Sequence, residues 1–75
     1  MAKEPAAIFD GGNVSVYLYI VDTAGNAFAW EVVECRPRAN EIFERKLVSE
    51  VEYLSYEEAE EAGKLKAAAV AKGMV

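Results

Sequence analysis

Glu52-Tyr53-Leu54-Ser55-Tyr56-Glu57-Glu58-Ala59-Glu60-Glu61-Ala62-Gly63 decides the reading of this chain, and positions 64–73 complete it. Ser55 stands three residues before Glu58, the Ser-x-x-Glu spacing of a capping box, in which side chains satisfy backbone N–H groups at a helix start. Glu57, Glu58, Glu60 and Glu61 crowd the positive end of the helix dipole, while Lys64, Lys66 and Lys72 lie towards its negative end. Gly73 is suited to a left-handed terminator, so the spacing predicts one long helix from Tyr56 to Lys72. Its apolar side is built from small residues: Ala59, Ala62, Gly63, Ala67 and Val70, flanked by Leu65 and Ala69. Such a face lets a neighbouring layer approach closely and supply the bulk. Lys66 falls inside the arc, so its stem must snorkel or the contact must end there.

The segments before the helix supply that layer. Val14–Val21 alternates, with Val14, Val16, Leu18 and Ile20 on one face and Ser15, Tyr17 and Tyr19 on the other, which predicts a strand. Asp22-Thr23-Ala24-Gly25-Asn26 reads as a hairpin loop in which Gly25 or Asn26 takes positive φ. Phe28–Cys35 is the return strand, with Phe28, Trp30 and Val32 opposite Ala29, Glu31 and Val33. Arg36-Pro37-Arg38 is expected to end it, because proline cannot donate to a ladder. Asn40–Tyr53 is ambiguous. Phe43, Leu47 and Val51 recur at helical spacing, yet Val48, Val51 and Tyr53 are strand formers. The reading taken is a strand at Lys46–Tyr53, preceded by a helical turn near Asn40–Glu44. Ahead of all this, Ile8-Phe9 meets Asp10-Gly11-Gly12-Asn13, and a short strand at Ala6–Phe9 pairing back is an open option. The expected fold is α+β: a three-stranded antiparallel sheet, with that short fourth strand as an option, packed against one C-terminal helix. The chain is read as a single small domain, 1–75, with 1–7 as a flexible leader.

With 75 residues, a chain buries only about 60% of its unfolded surface, so its core needs support. Cys35 is the only cysteine and there is no histidine, which excludes an internal disulfide and removes the commonest soft metal ligand. Oligomerisation is the remaining support, most simply a dimer. Without histidine, neither Cys35 nor any serine has the base that nucleophilic catalysis requires, so no catalytic residue is assigned and no enzyme is expected. Arg36 and Arg38 would lower the Cys35 thiol pKa only if it faced them. No cofactor is implied. Glu57 and Glu61 share a helix face, but the loop oxygens of a calcium site are missing, so no metal is assigned. A net charge of −5 argues against general affinity for nucleic acid or anionic lipid. Met1–Pro5 carries no signal-peptide pattern and no apolar run spans a bilayer, so the expected setting is cytoplasmic.

Leu18-Tyr19-Ile20-Val21-Asp22-Thr23-Ala24-Gly25 resembles the magnesium-binding strand and switch of P-loop GTPases. Those enzymes also need a Gly-x-x-x-x-Gly-Lys-Ser/Thr loop, which this chain lacks. The order strand–strand–strand–helix, with its Ser-Tyr-Glu-Glu-Ala junction, resembles plant AP2 and integrase arm-binding domains. Their exposed sheet face is basic and aromatic, whereas the corresponding face here carries glutamates.

That outer face is the most informative surface. Tyr17, Tyr19, Glu31, Glu50 and Glu52 are the candidate partner-binding residues, since tyrosine offers apolar area and a hydroxyl together. A second candidate is phosphate binding by Arg36, Arg38, Arg45 and Lys46, four of the eight basic residues, grouped within positions 36–46. The function expected is a non-catalytic, self-associating protein-interaction module. Its alternative is a small nucleic-acid or phosphate-binding module using the 36–46 loop. The protein partner is not identified by the sequence, and no membrane association is expected.

Overall fold

The computed structural model describes residues 4–38 and 41–73, Arg38 through its backbone alone. Four strands, β1 (Ala7–Asp10), β2 (Ser15–Thr23), β3 (Ala27–Arg38) and β4 (Glu41–Val48), precede one helix, α1 (Tyr56–Ala71). The strands form a single antiparallel sheet in the order β1-β2-β3-β4. The optional fourth strand is therefore present. Ala7 opens β1 and Ala6 N–H donates to Leu18 O at 2.6 Å, so the end of the expected leader is tied to the sheet, while its positions 1–3 lie outside the described residues.

The helix begins where its capping signal places it. Ser55 is extended (φ −135°, ψ 154°) and its Oγ accepts from Glu58 N–H at 3.1 Å. Lys72 closes the other end with its N–H on Ala68 O, and Gly73 follows at φ 76°. At the β2–β3 turn both Gly25 (φ 84°) and Asn26 (φ 64°) take left-handed backbone, a conformation cheap only for residues of their kind.

β2 runs on through Asp22 and Thr23, which the sequence reading places in the hairpin loop, and two further strand expectations need correction. β3 does not end at Arg36-Pro37-Arg38 but runs through it. The reason is the direction of the missing N–H. Ser49 N–H donates to Trp30 O, so even-numbered residues of β3 face β4 and odd-numbered ones face β2. Pro37 would donate towards β2, whose pairing with β3 stops at Ser15↔Cys35. No ladder bond is lost. The second correction concerns β4, which spans Glu41–Val48 instead of Lys46–Tyr53. Glu41–Glu44 is strand and not a helical turn, while Asn40 lies outside the described residues. Beyond Val48, residues 50–52 bulge away and only Tyr53 returns, exchanging backbone hydrogen bonds with Phe28.

Period-two alternation puts Val16, Leu18 and Val32 on the helix side, each 0% exposed, with Ile20, Trp30, Phe9 and Leu47 packed around them. Ala59, Gly63, Ala67 and Val70 are the buried face of α1. Gly63 sets the interlayer distance. A Cβ there would lie 2.5 Å from Leu18 Cδ1 and 2.9 Å from Trp30 Cβ. Seated this closely, α1 lies across β2 and β3, touches β1, and keeps off β4.

Gly63→Ala tests the seating. In an open helix alanine would gain about 1 kcal/mol over glycine, but overpacking costs about 1–3 kcal/mol, and Trp30 Cβ is fixed to its backbone. The expected outcome is a lower chemical-denaturation midpoint, with Gly63→Leu lower still. A raised midpoint for Gly63→Ala would show that the helix does not sit on the sheet here.

Candidate interaction surface

The sheet has two faces and one helix. On the face away from α1, cross-strand register aligns Ile8, Tyr17, Val33 and Lys46 in one row. Tyr19, Glu31 and Val48 form the next, and Val21 with Ala29 the third. Among the described residues no element covers this face. Tyr17, Tyr19, Val21, Ala29 and Val33 are half-buried by one another, while Ile8 (61%) and Val48 (58%) stand exposed at its margins. The rows read apolar and aromatic in the middle, with Asp10, Ser15, Cys35 and Glu44 across one end. Lys46 Nζ lies 3.7 Å from Glu31 Oε1, a cross-strand pair that neutralises the one central carboxylate.

Three of the five candidate partner-binding residues, Tyr17, Tyr19 and Glu31, therefore meet on one surface. Glu50 and Glu52 do not. They sit exposed in the bulge after β4, because the strand ends at Val48 and the two-residue period is lost there.

The four basic candidates are dispersed by the same alternation. Arg36 and Arg45 point to the helix side, Lys46 to the open face, and the side chain of Arg38 lies outside the described residues. Arg36 Nε donates to Glu34 Oε2 at 2.6 Å, and Arg45 Nε lies 2.9 Å from Glu34 Oε1. Both guanidinium groups are thus engaged by a carboxylate. Glu34 itself is 1% exposed, the one buried charged side chain among the described residues. Sequence reasoning passed over it, although the signal was present: continuing Phe28, Trp30, Val32 by two residues lands on Glu34. An acid on the core face demands a cation, and the register brings Arg45 directly opposite.

Cys35 faces away from Arg36. Its thiol lies 3.8 Å from Glu44 Oε2, and loss of solvent together with the Glu44 and Glu34 carboxylates pushes its pKa up. The thiolate is disfavoured, the reverse of an activated nucleophile. On the helix side a shallow groove of about 440 Å³ opens where α1 stops short of β4, lined by Trp30, Leu47, Val48, Glu50, Val51 and Lys66. Lys66 marks the limit of the helix contact, and Glu60–Lys64 forms the i, i+4 pair at 3.8 Å. Among the described residues no three Cys, Asp or Glu side chains converge as a bound metal would require, and no helix is long and apolar enough to cross a membrane.

No protein-family model, curated protein or solved structure matches the chain.

The Glu34 cluster gives a test of how this end of the sheet is held. Replacing Arg36 and Arg45 by methionine together leaves a buried carboxylate alone, which typically costs about 3–5 kcal/mol. Glu34→Met should cost less, since the arginine side chains, 35% and 37% exposed, can turn to water. The triple methionine variant should recover most of the loss. Equilibrium denaturation ranks the variants, and a double-arginine variant as stable as wild type would mean that Glu34 is solvated.

Proposed function

We propose that the chain is a non-catalytic protein-interaction module that self-associates, acts in the cytoplasm and presents its open sheet face to a protein partner. One observation carries this reading. A four-stranded sheet has a helix on one side only, and its other side carries Ile8, Tyr17, Tyr19, Val21, Val33 and Val48. Large contiguous apolar patches on small domains mark interaction sites, and rigid tyrosines bind at low entropic cost. The rim supports a partner with a flat apolar patch and basic margins, because Asp10 and Glu44 border the face. A phosphate site would need Arg36, Arg45 and Lys46 to converge, and alternation separates them onto two faces.

Tyr17→Ala combined with Tyr19→Ala tests the reading. Wild type and variant are compared as baits under cross-linking, and affinity for the recovered partner is then measured directly. Truncating a central interface tyrosine costs more than about 1 kcal/mol, so the double variant should bind at least about tenfold more weakly. Its oligomer mass and melting transition should stay close to wild type. Equal binding by the double variant would refute the reading. So would binding to generic RNA or DNA that weakens steeply with salt, the signature of phosphate contacts.

A further inference from the structure

We infer that the chain dimerises by pairing β4 with β4 of a second copy, antiparallel, about a twofold axis that passes beside Arg45. This rests on the self-association in the reading above and gives it a surface and a register.

β4 is an edge strand of eight residues with no neighbour on its outer side among the described residues. Ser49 N–H donates inward to Trp30 O, so odd-numbered residues of β4 bond to β3. The N–H and C=O groups of Ile42, Glu44, Lys46 and Val48 consequently point outward. Natural edges are usually blunted by shortness, proline or charge. β1, the opposite edge, has only four residues and begins soon after Pro5. β4 has neither shortness nor proline; its charges, Glu41, Glu44, Arg45 and Lys46, are of both signs, and it exposes Ile42 (75%), Phe43 (43%) and Val48 (58%).

A second copy fits this edge because the strand is complementary to itself. A twofold axis normal to the sheet keeps both helices on one side, so facing positions must share a face. Centring the pairing on Arg45 sets Glu44 opposite the second copy's Lys46, Ile42 opposite its Val48, and Phe43 opposite its Leu47, each twice. The open face gains two opposite-charge pairs and two apolar pairs, and the helix side gains two more apolar pairs. The outward groups of Ile42, Glu44, Lys46 and Val48 would close about eight backbone hydrogen bonds. One apposition is unfavourable, Arg45 against its copy, and each guanidinium is drawn back by Glu34 of its own chain at 2.9 Å. The neighbouring registers are worse. Centring on Glu44 opposes two carboxylates and sets Ile42 against Lys46, whereas centring on Lys46 opposes two ammonium groups. The twofold contact uses the β4 edge of both chains, so it closes at two chains instead of propagating, and the bulge at 50–52 ends the pairing along the strand. The product is one eight-stranded sheet whose open faces join into a single surface.

Charge exchange tests both the pairing and its register. Glu44→Lys alone and Lys46→Glu alone each place like charges opposite each other twice, so each should dimerise at least about tenfold more weakly than wild type. Mixed in equal amounts, the two variants restore opposite charges at both positions. A heterodimer of wild-type affinity should form, read by native mass spectrometry and sedimentation. Lys46→Glu also removes the pair with Glu31, so a second set avoids that variant's folding as an explanation. In a Cys35→Ser background, Glu44→Cys and Lys46→Cys chains should cross-link in a mixture and not alone, since paired Cα atoms lie about 5.5 Å apart, within disulfide reach. Wild type that is monomeric at micromolar concentration would overturn the inference, as would variants that dimerise unaltered or Glu44→Cys chains that cross-link to themselves. A monomer that still loses its partner through the tyrosine variant would refute this dimer and leave the sheet-face reading standing.

Discussion

The structure depends on how closely α1 sits on the sheet. Gly63 lies over Leu18 and Trp30 with no room for a Cβ, and Ala59 and Ala67 continue the same small-residue face. A helix is about 10 Å across and strands are about 4.8 Å apart, so a helix held this low covers about two strands. Here those are β2 and β3, with β1 at the margin. What remains uncovered follows directly: the helix-side strip along β4 and the whole opposite face. In a 75-residue chain no other described element is left to cover them. The surfaces proposed for binding are the part of the sheet that one helix cannot reach.

The far end of β3 shows how the chain manages the limit of its core. Along the row Phe9, Val16, Glu34 and Arg45 the side chains change from apolar to ionic towards β4, the strand that α1 does not touch. A buried carboxylate held by two arginines is weak support for stability, because desolvation offsets most of the attraction. It does favour one alignment of β3 with β4, since a slip by two residues would leave Glu34 without Arg45. It also engages Arg36 and Arg45 on the helix side, while Lys46 stands on the open face, so the basic group of the sequence is divided between two faces.

Features governed by local chemistry were legible in the sequence. The capping serine, the small-residue helix face, β2 and the Gly25-Asn26 turn all follow from signals within a few residues. Features that depend on a neighbouring strand were not. Whether Pro37 ends β3 depends on whether β2 extends far enough to need its N–H, and nothing near Pro37 says so. Asn40–Tyr53 carries both helical and strand spacing, and pairing with β3 decides it, at a position several residues earlier than Val51 and Tyr53 suggest. Glu50 and Glu52 left the tyrosine face for the same reason. Glu34 is different, because its parity was readable and its partner was not.

The central claim is that edge and face are left open by one low-seated helix and that β4 is closed by a second copy. Amide hydrogen exchange along β4 tests it most directly, because alternate residues report different partners. Phe43, Arg45 and Leu47 bond to β3 and should be protected at every concentration. Glu44 and Lys46 point outward, and their protection should rise with protein concentration until it approaches that of their neighbours. If Glu44 and Lys46 exchange as freely as an unfolded chain at all concentrations while Phe43, Arg45 and Leu47 stay protected, the edge remains open and the account is contradicted.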